Sequence, residues 1–228
     1  MKFLIVAAKT GGHVFPASSV AKELIKNNHE VVFLGIGSEI EKTAYKDINS
    51  RSYNLSIDGF RGGNLITKFK TLFLVCINIF KVNRIINIEK IDAMIGFGGF
   101  ITVPAAISSW LKRKPIFIHE QNAILGSANK FISNFSKINF LGFPIKGVNK
   151  SILSGNPIRD SFATHESRNK NNDFINIYIT GGSQGAEYIN NEIPKIFRNF
   201  SEEIKIKHQC GINNFKKVKD IYLLNGVE

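Results

Sequence analysis

Residues 9–16, Lys9-Thr10-Gly11-Gly12-His13-Val14-Phe15-Pro16, decide how this chain is read. Before them runs Phe3-Leu4-Ile5-Val6-Ala7-Ala8, a short continuous apolar segment of the kind that forms a buried parallel strand. After them, residues 17–25 carry the apolar spacing of a helix. Strand, glycine turn and helix in that order open a nucleotide-handling α/β unit. Glycines let the backbone approach a phosphate or sugar closely, and a helix start offers unpaired N–H groups and the positive end of its dipole. His13 stands beside that opening, where an imidazole can take a proton from a bound hydroxyl. A plain strand-to-helix turn with a polar histidine fits the same residues, and so short a glycine motif does not separate the two.

The bulk numbers narrow the setting. A chain of 228 residues, 43% hydrophobic, builds one large α/β domain or one domain plus part of another. Its 30 basic and 18 acidic side chains leave a charge of +12, which favours an anionic partner: nucleic acid, a phosphorylated substrate or an acidic membrane surface. The many lysines and asparagines are also what AT-rich coding produces. Cys76 and Cys210 lie far apart without metal-ligand spacing, so two reduced, ordinary core thiols in the cytosol are expected. The N-terminus passes straight into a strand, and no signal peptide is expected.

Further along, residues 30–35 read as a second strand, Ser38-Glu39-Ile40-Glu41 as a capping box opening a short helix, and residues 52–57 as a third strand before a glycine-containing loop at 58–63. Residues 65–88 read as one long helix, and no acidic residue falls between Arg61 and Ile88. Ile66, Phe69, Phe73, Ile77 and Phe80 share one face at helical spacing, while Leu72, Cys76, Ile79 and Ile86 form a second. Lys68, Lys70, Lys81 and Arg84 flank them. A helix packed on one side needs a single apolar stripe. The run between Lys70 and Lys81 is shorter than the ~20 residues that span a bilayer. The expectation is that one face packs on the sheet and the other dips into an anionic membrane surface, with a helix buried on both sides as the alternative.

Residues 92–100 form a strand running into a second glycine turn, Gly96-Phe97-Gly98-Gly99-Phe100. Thr102-Val103-Pro104 opens a helix to about Leu111, ended by Lys112-Arg113-Lys114. Residues 115–119 read as a strand with Glu120-Gln121-Asn122 at its carboxyl end, the side on which open α/β sheets bind ligands. The glycine turns and the His119-Glu120-Gln121-Asn122 cluster therefore converge on one crevice. Alternatively, Glu120 and Asn122 cap a helix expected near 125–134. Strands at 138–141 and 151–154 close this domain, and Gly155-Asn156-Pro157-Ile158-Arg159 reads as a hinge before a polar stretch at 164–173. The pattern then restarts: a strand at 174–180, a third glycine turn Gly181-Gly182-Ser183-Gln184-Gly185-Ala186, a helix to about Phe197, and a strand and turn at 203–211. The expected domains are 1–156 and 157–228, the second with too few strands to cover a sheet on both faces.

At these motifs the chain resembles the family of UDP-N-acetylglucosamine–N-acetylmuramyl-(pentapeptide) pyrophosphoryl-undecaprenol N-acetylglucosamine transferases. The resemblance runs over the whole chain and rests on 10–16, 96–100, 119–122, 155–159 and 181–186, in the family's order. It implies a GT-B-type α/β architecture: a complete Rossmann-like N-terminal domain facing, across a cleft, a Rossmann-like C-terminal domain that is incomplete here. It implies inverting transfer of N-acetylglucosamine from UDP-GlcNAc to the muramyl 4-hydroxyl of undecaprenyl-linked lipid I, giving lipid II, with no metal or other cofactor. By resemblance, Thr10, Gly11, Gly12, Asn122, Arg159 and Ser183 match contacts to the sugar nucleotide. His13 and Glu120 match acceptor-side or catalytic positions, and Gly98, Gly99, Gln184 and Gly185 match the acceptor and diphosphate loops. The family docks peripherally on the cytoplasmic face of the bacterial inner membrane through an apolar patch ringed by bases. That matches Phe69, Leu72, Phe73, Cys76, Ile79 and Phe80 with Lys68, Lys70, Lys81 and Arg84.

The chain departs from the family pattern in two places. Ala8 and Lys9 stand where the family has glycines; their side chains narrow the turn, and Lys9 either grips a phosphate or blocks it. The family also continues beyond the position of Glu228, through most of its uridine and donor-sugar pocket. The expectation is weak donor binding and an inactive chain, as a decayed copy, an acceptor-binding module, or half of an enzyme completed by a separate C-terminal polypeptide. A dinucleotide oxidoreductase is disfavoured because the second strand ends in Leu34-Gly35 without the acidic ribose contact. Nucleic acid is not an expected partner, since the basic residues cluster with aliphatics rather than with stacking aromatics.

Overall fold

The computed structural model describes residues 1–56, 65–159, 174–182, 184–199 and 203–227, with the backbone alone for 65–71 and 199. The loop expected at 58–63, the polar stretch at 164–173 and Ser183 lie outside the described residues, as do the side chains of Lys68, Phe69 and Lys70. The chain divides into two compact units, Met1–His165 and Glu166–Glu228.

The first unit carries a parallel sheet of seven strands in the order β3-β2-β1-β4-β5-β6-β7. The strands are β1 (Lys2–Val6), β2 (Glu30–Gly35), β3 (Arg51–Asn54), β4 (Ala93–Gly96), β5 (Ile116–Glu120), β6 (Ile138–Leu141) and β7 (Ser151–Leu153). The chain winds outward from the centre in both directions, so the strand order reverses between β1 and β4, where open sheets form their binding crevice. β4 is buried at every position, as a strand covered on both faces must be.

The period-two alternation of β1 separates the two layers. Phe3 and Ile5 pack with Val14, Ala17 and Ala21 of α1 (Gly11–Lys26), beside α2 (Glu39–Tyr45). Leu4 and Val6 pack with Val82, Ile85 and Ile86 of α3 (Leu65–Ile88), Ala105 and Ala106 of α4 (Thr102–Leu111), and Ile132 of α5 (Ser127–Ile132). Each aliphatic side chain withdrawn from water here contributes ~1.5–3 kcal/mol before conformational entropy is subtracted.

Several local details differ from the expectations. α1 begins at Gly11, so Gly11, Gly12 and His13 form its first turn, and Thr10 is the extended residue before it. Pro16 lies inside this helix and has no N–H to donate to the Gly12 carbonyl four residues earlier. The capping box at Ser38 closes differently: Glu41 accepts the N–H groups of Ile36 and Gly37 and the hydroxyl of Ser38. α5 is shorter than the span 125–134. Cys210 is buried, but Cys76 is exposed on α3 and is not a core thiol.

The long helix keeps its expected bounds but buries a different stripe. Val75, Asn78, Val82, Ile85, Ile86 and Glu89 face the fold, spaced by three and four residues. Ile86 therefore belongs to the core and not to an outward face. Leu72, Phe73 and Phe80 are 60%, 65% and 76% exposed. Asn78 is tolerated inside because its amide donates to the carbonyls of Ser56 and Leu74.

At the opposite edge of the sheet, Glu89 accepts from Tyr53 Oη, from Lys2 Nζ at 2.9 Å and from Arg51 Nη1 at 2.9 Å. The Tyr53 hydroxyl, then Lys2 and Arg51, hold its carboxyl down at about 2, against an ordinary 4.5. A depressed folded pKa gives stability that is present above the ordinary value and is lost as pH falls through the folded one. Glu89→Gln is expected to lower the urea midpoint at pH 7 and to flatten the loss of stability between pH 4.5 and 2, read by circular dichroism.

The second unit holds a two-stranded parallel sheet, β8 (Ile175–Thr180) with β9 (Ile204–Gln209), and helices α6 (Glu187–Ile196) and α7 (Phe215–Leu224). Its glycine loop passes close to the end of β9. A methyl group on Gly185 would lie 1.9 Å from the Cys210 carbonyl oxygen, and one on Gly211 would lie 2.1 Å from that of Gln184.

Candidate functional site

The carboxyl ends of β1, β4, β5 and β7 form a closed circuit of contacts within the first unit. It starts at α1, where His13 Nδ1 lies 3.2 Å from Thr10 Oγ1 and 3.4 Å from the Ala8 carbonyl. That carbonyl can only accept, so the contact places a hydrogen on Nδ1, the tautomer in which a neutral ring carries its lone pair on Nε2. Nε2 faces Gly98 so closely that a methyl group there would sit 3.0 Å away. Gly98 has φ +104 and Gly99 φ +81, values that favour glycine, and together they fold the β4 turn back against α1.

From β4 the circuit passes to β5 through Phe97, whose ring lies 5.7 Å from the His119 imidazole. His119 is buried; its Nε2 donates to the Gly155 carbonyl at 2.9 Å, and Gln121 Nε2 donates to its Nδ1 at 3.0 Å. Burial pushes this imidazole below its ordinary value, which keeps it neutral and suits both bonds. Asn156 Nδ2 donates to the Gln121 carbonyl at 3.1 Å. The segment read as a hinge is thus pinned to the first unit. It ends with the Arg159 guanidinium over the Phe15 ring of α1, 4.6 Å from the centroid, which closes the circuit.

Glu120 does not project into this opening. It is 1% exposed. Oε1 accepts the backbone N–H and the Nδ2 of Asn122, and Oε2 accepts the Gly126 N–H and the Nδ2 of Asn129, all at 2.8–3.1 Å. Its charge is spent organising the β5–α5 loop, and through that loop it orients Asn122, which is exposed. Two of these contacts reach the start of the following helix, at the Gly126 N–H just before α5 and at Asn129 within it, although α5 itself has no side-chain cap.

Thr10, Gly11, Gly12, His13, Gly98, Gly99, Asn122 and Arg159 all belong to this edge of the first unit. Among the glycines, Gly12 is open, with only Thr10 Oγ1 near it, whereas Gly11 has Phe15 and Ile40 packed where a side chain would stand. Lys9 adopts φ +79, a left-handed conformation that costs a non-glycine residue ~1–2 kcal/mol. Gln184 and Gly185 lie in the second unit, where Gly185 is packed against the end of β9.

On α3, Leu72, Phe73, Cys76, Phe80, Lys81 and Arg84 are exposed and Ile79 is half-buried. Beside it on the same layer, Ile107 and Trp110 of α4 and Phe131 and Phe135 line an apolar cavity of ≈ 300 Å³. No helix among the described residues is long and apolar enough to cross a membrane. Among those residues no group of three or more His, Cys, Asp and Glu side chains is placed to hold a metal ion.

Sequence reading missed Asn129, Asn156 and Phe15. Nothing marks an asparagine nine residues after Glu120 as its partner, but an aromatic inside a glycine-rich helix start was a visible signal.

A doubly covered parallel sheet with its loops gathered at the switch point, followed by a second β/α unit, defines an α/β protein of GT-B type. The chain belongs to glycosyltransferase family 28: residues 3–140 match that family's N-terminal domain, and residues 176–227 match its C-terminal domain. It is similar to the UDP-N-acetylglucosamine--N-acetylmuramyl-(pentapeptide) pyrophosphoryl-undecaprenol N-acetylglucosamine transferase of Blochmanniella pennsylvanica, with 36% identity over 95% of this chain and 62% of that protein. The protein of the same name from Buchnera aphidicola is 34% identical over 97% of this chain and 64% of its own length. Among solved structures, MurG of Acinetobacter baumannii superposes with a TM-score of 0.75 at 30% identity, covering 97% of this chain and 64% of that one. The chain thus spans about 62% of the length of the first curated relatives it matches.

Proposed function

We propose that this chain acts in peptidoglycan-precursor synthesis as a hexosyltransferase. In this reading it moves N-acetylglucosamine from UDP-GlcNAc to the muramyl 4-hydroxyl of undecaprenyl-linked lipid I, with inversion and without a metal. The observation that carries the reading is the closed circuit from His13 through Gly98, His119 and Arg159 back to Phe15, in a chain similar to proteins named for that transfer.

Each group then has a task. His13 Nε2 takes the proton of the attacking hydroxyl while the Ala8 carbonyl holds Nδ1. Asn122, oriented by Glu120, and the N–H groups of Gly11 and Gly12 grip the sugar nucleotide with Thr10. Arg159 and the positive end of α1 offset the charge of departing UDP. Gly98 and Gly99 let the acceptor diphosphate approach the backbone. Ser183, Gln184 and Gly185 contribute from the second unit. The exposed stripe of α3, with Lys68, Lys70, Lys81 and Arg84, docks peripherally on the anionic cytoplasmic face of the inner membrane.

A second reading, an acceptor-binding module that needs a separate C-terminal polypeptide for transfer, is favoured by the circuit being complete within Met1–His165. One experiment separates the two: a transfer assay with UDP-GlcNAc and a lipid I analogue in vesicles with and without acidic lipid. Turnover that rises with acidic lipid is expected for the enzyme. Acceptor binding without turnover supports the module, and neither activity overturns both.

A further inference from the structure

We infer that Asn156 is a positioning residue for Asn122: it holds the peptide group between Gln121 and Asn122, so that the Asn122 side chain is already in place when a sugar nucleotide arrives. This rests on the donor-side reading proposed above for Asn122.

That peptide group is gripped at both ends. Its carbonyl, which belongs to Gln121, accepts from Asn156 Nδ2 at 3.1 Å, and its N–H, which belongs to Asn122, donates to Glu120 Oε1 at 3.1 Å. A carbonyl can only accept, so the NH2 end of the Asn156 amide must face it. Gln121 is also anchored by its side chain, whose Nε2 donates to His119 Nδ1 at 3.0 Å. A peptide group is planar, so fixing its two polar ends fixes where the Asn122 Cα stands. From there Asn122 Nδ2 turns back to Glu120 Oε1 at 2.8 Å, and Asn122 Oδ1 has no hydrogen-bond partner among the described residues. That oxygen, on an exposed residue, is the group presented to a ligand.

Asn156 reaches the peptide from a strap with little freedom to move. The N–H groups of Ser154 and Gly155 both donate to the Leu141 carbonyl, at 3.0 and 3.2 Å, and His119 Nε2 donates to the Gly155 carbonyl. Pro157 follows Asn156 and favours extended backbone for it. Gly142, just past β6, makes room for the amide: a methyl group there would lie 2.1 Å from Asn156 Oδ1 and 2.7 Å from its Cγ. Gly142 does not adopt a positive φ, so the Asn156 amide is what excludes a side chain at that position.

The test uses the whole chain with Asn156→Ala, Gly142→Ala, Asn122→Ala and the pairs Asn156→Ala/Gly142→Ala and Asn156→Ala/Asn122→Ala. The probe is UDP-GlcNAc. Calorimetry reads affinity, and NMR reads hydrogen exchange of the Asn122 N–H in the unliganded chain. Asn156→Ala is expected to speed that exchange and to weaken the probe, each about fivefold, the worth of one hydrogen bond. Gly142→Ala drives the amide from its notch and is expected to do the same. Added to Asn156→Ala it is expected to cost nothing further, because the methyl group then meets no amide. Asn156→Ala/Asn122→Ala is expected to bind no more weakly than Asn122→Ala. A merely structural role would lower the urea midpoint without this non-additivity. Unchanged Asn122 exchange in Asn156→Ala overturns the inference. An additive loss in Asn156→Ala/Asn122→Ala also overturns it, because Asn156 would then meet the probe itself. So does unchanged affinity in Asn156→Ala while Asn122→Ala binds weakly, and that outcome leaves the donor-side reading intact. A parent chain that protects the Asn122 N–H but does not bind UDP-GlcNAc overturns the donor-side reading, and the inference with it.

Discussion

Glu120→Ala is expected to lower the unfolding free energy of the first unit by about 3 kcal/mol, as happens when buried charge-assisted hydrogen bonds lose their acceptor. The carboxylate accepts from the Asn122 N–H, Asn122 Nδ2, the Gly126 N–H and Asn129 Nδ2. Truncation removes the acceptor, so the loop N–H groups are left to find water or nothing and the buried Asn129 amide keeps only its 3.3 Å contact with the His119 carbonyl. Urea unfolding followed by circular dichroism gives the size of the loss. Hydrogen exchange localises it: amides of 120–129 should lose protection first, ahead of those in β1 and β4.

Glu120→Gln separates a positioning carboxylate from a catalytic base. Its carbonyl still accepts on one side, while its NH2 group opposes donors on the other, so an intermediate loss of stability is expected. In the proposed reading turnover falls along with loop order, and the pH profile keeps its shape because the base is His13. A stable, well-ordered Glu120→Gln chain whose pH profile has lost a limb would return the base role to Glu120.

Gly185→Ala carries the other large effect, confined to the second unit. Gly185 has φ +74, where a side chain costs ~1–2 kcal/mol, and the Cys210 carbonyl blocks the added methyl at 1.9 Å, so overpacking adds a further ~1–3 kcal/mol. The displaced loop also disturbs the bond from Asn190 Nδ2 to the Cys210 carbonyl, 2.9 Å in the native arrangement. A total near ~3 kcal/mol is a large share of what a sheet of two strands can supply. Amides of β8 and β9 should exchange quickly in Gly185→Ala, while those of β1, β2 and β4 keep their protection. Gly182→Ala is the control: it also has a positive φ but nothing stands within 4 Å, so it carries the backbone cost alone. Equal losses for the two would show that the approach to Cys210 does not matter.

The order of elements was legible along the chain because it depends on local chemistry. Residues 30–35 and 138–141 are strands at the bounds their apolar runs suggest, and the long helix spans Leu65–Ile88 as its spacing requires. The gathering of the glycine turns at one edge also followed, since parallel strands put every strand-to-helix loop on the same side.

Only the tertiary structure decided which stripe of α3 is buried. Several sets of positions on that helix satisfy a 3.6-residue period, and the chosen one contains Asn78, whose burial is offset in part because the carbonyls of Ser56 and Leu74 accept from its Nδ2. The same holds for Glu120 and Arg159. A carboxylate at a strand end has the same covalent chemistry whether it faces a ligand or a loop, and the donors of Asn122, Gly126 and Asn129, the last nine residues away, hold it inward. An arginine after a glycine-proline strap has no preferred direction until His119 and Asn156 fix the strap and Phe15 receives its guanidinium. Local periodicity sets what each segment can become; contacts between residues far apart in sequence select one outcome, because a buried polar group is stable only where its partners arrive from elsewhere in the chain.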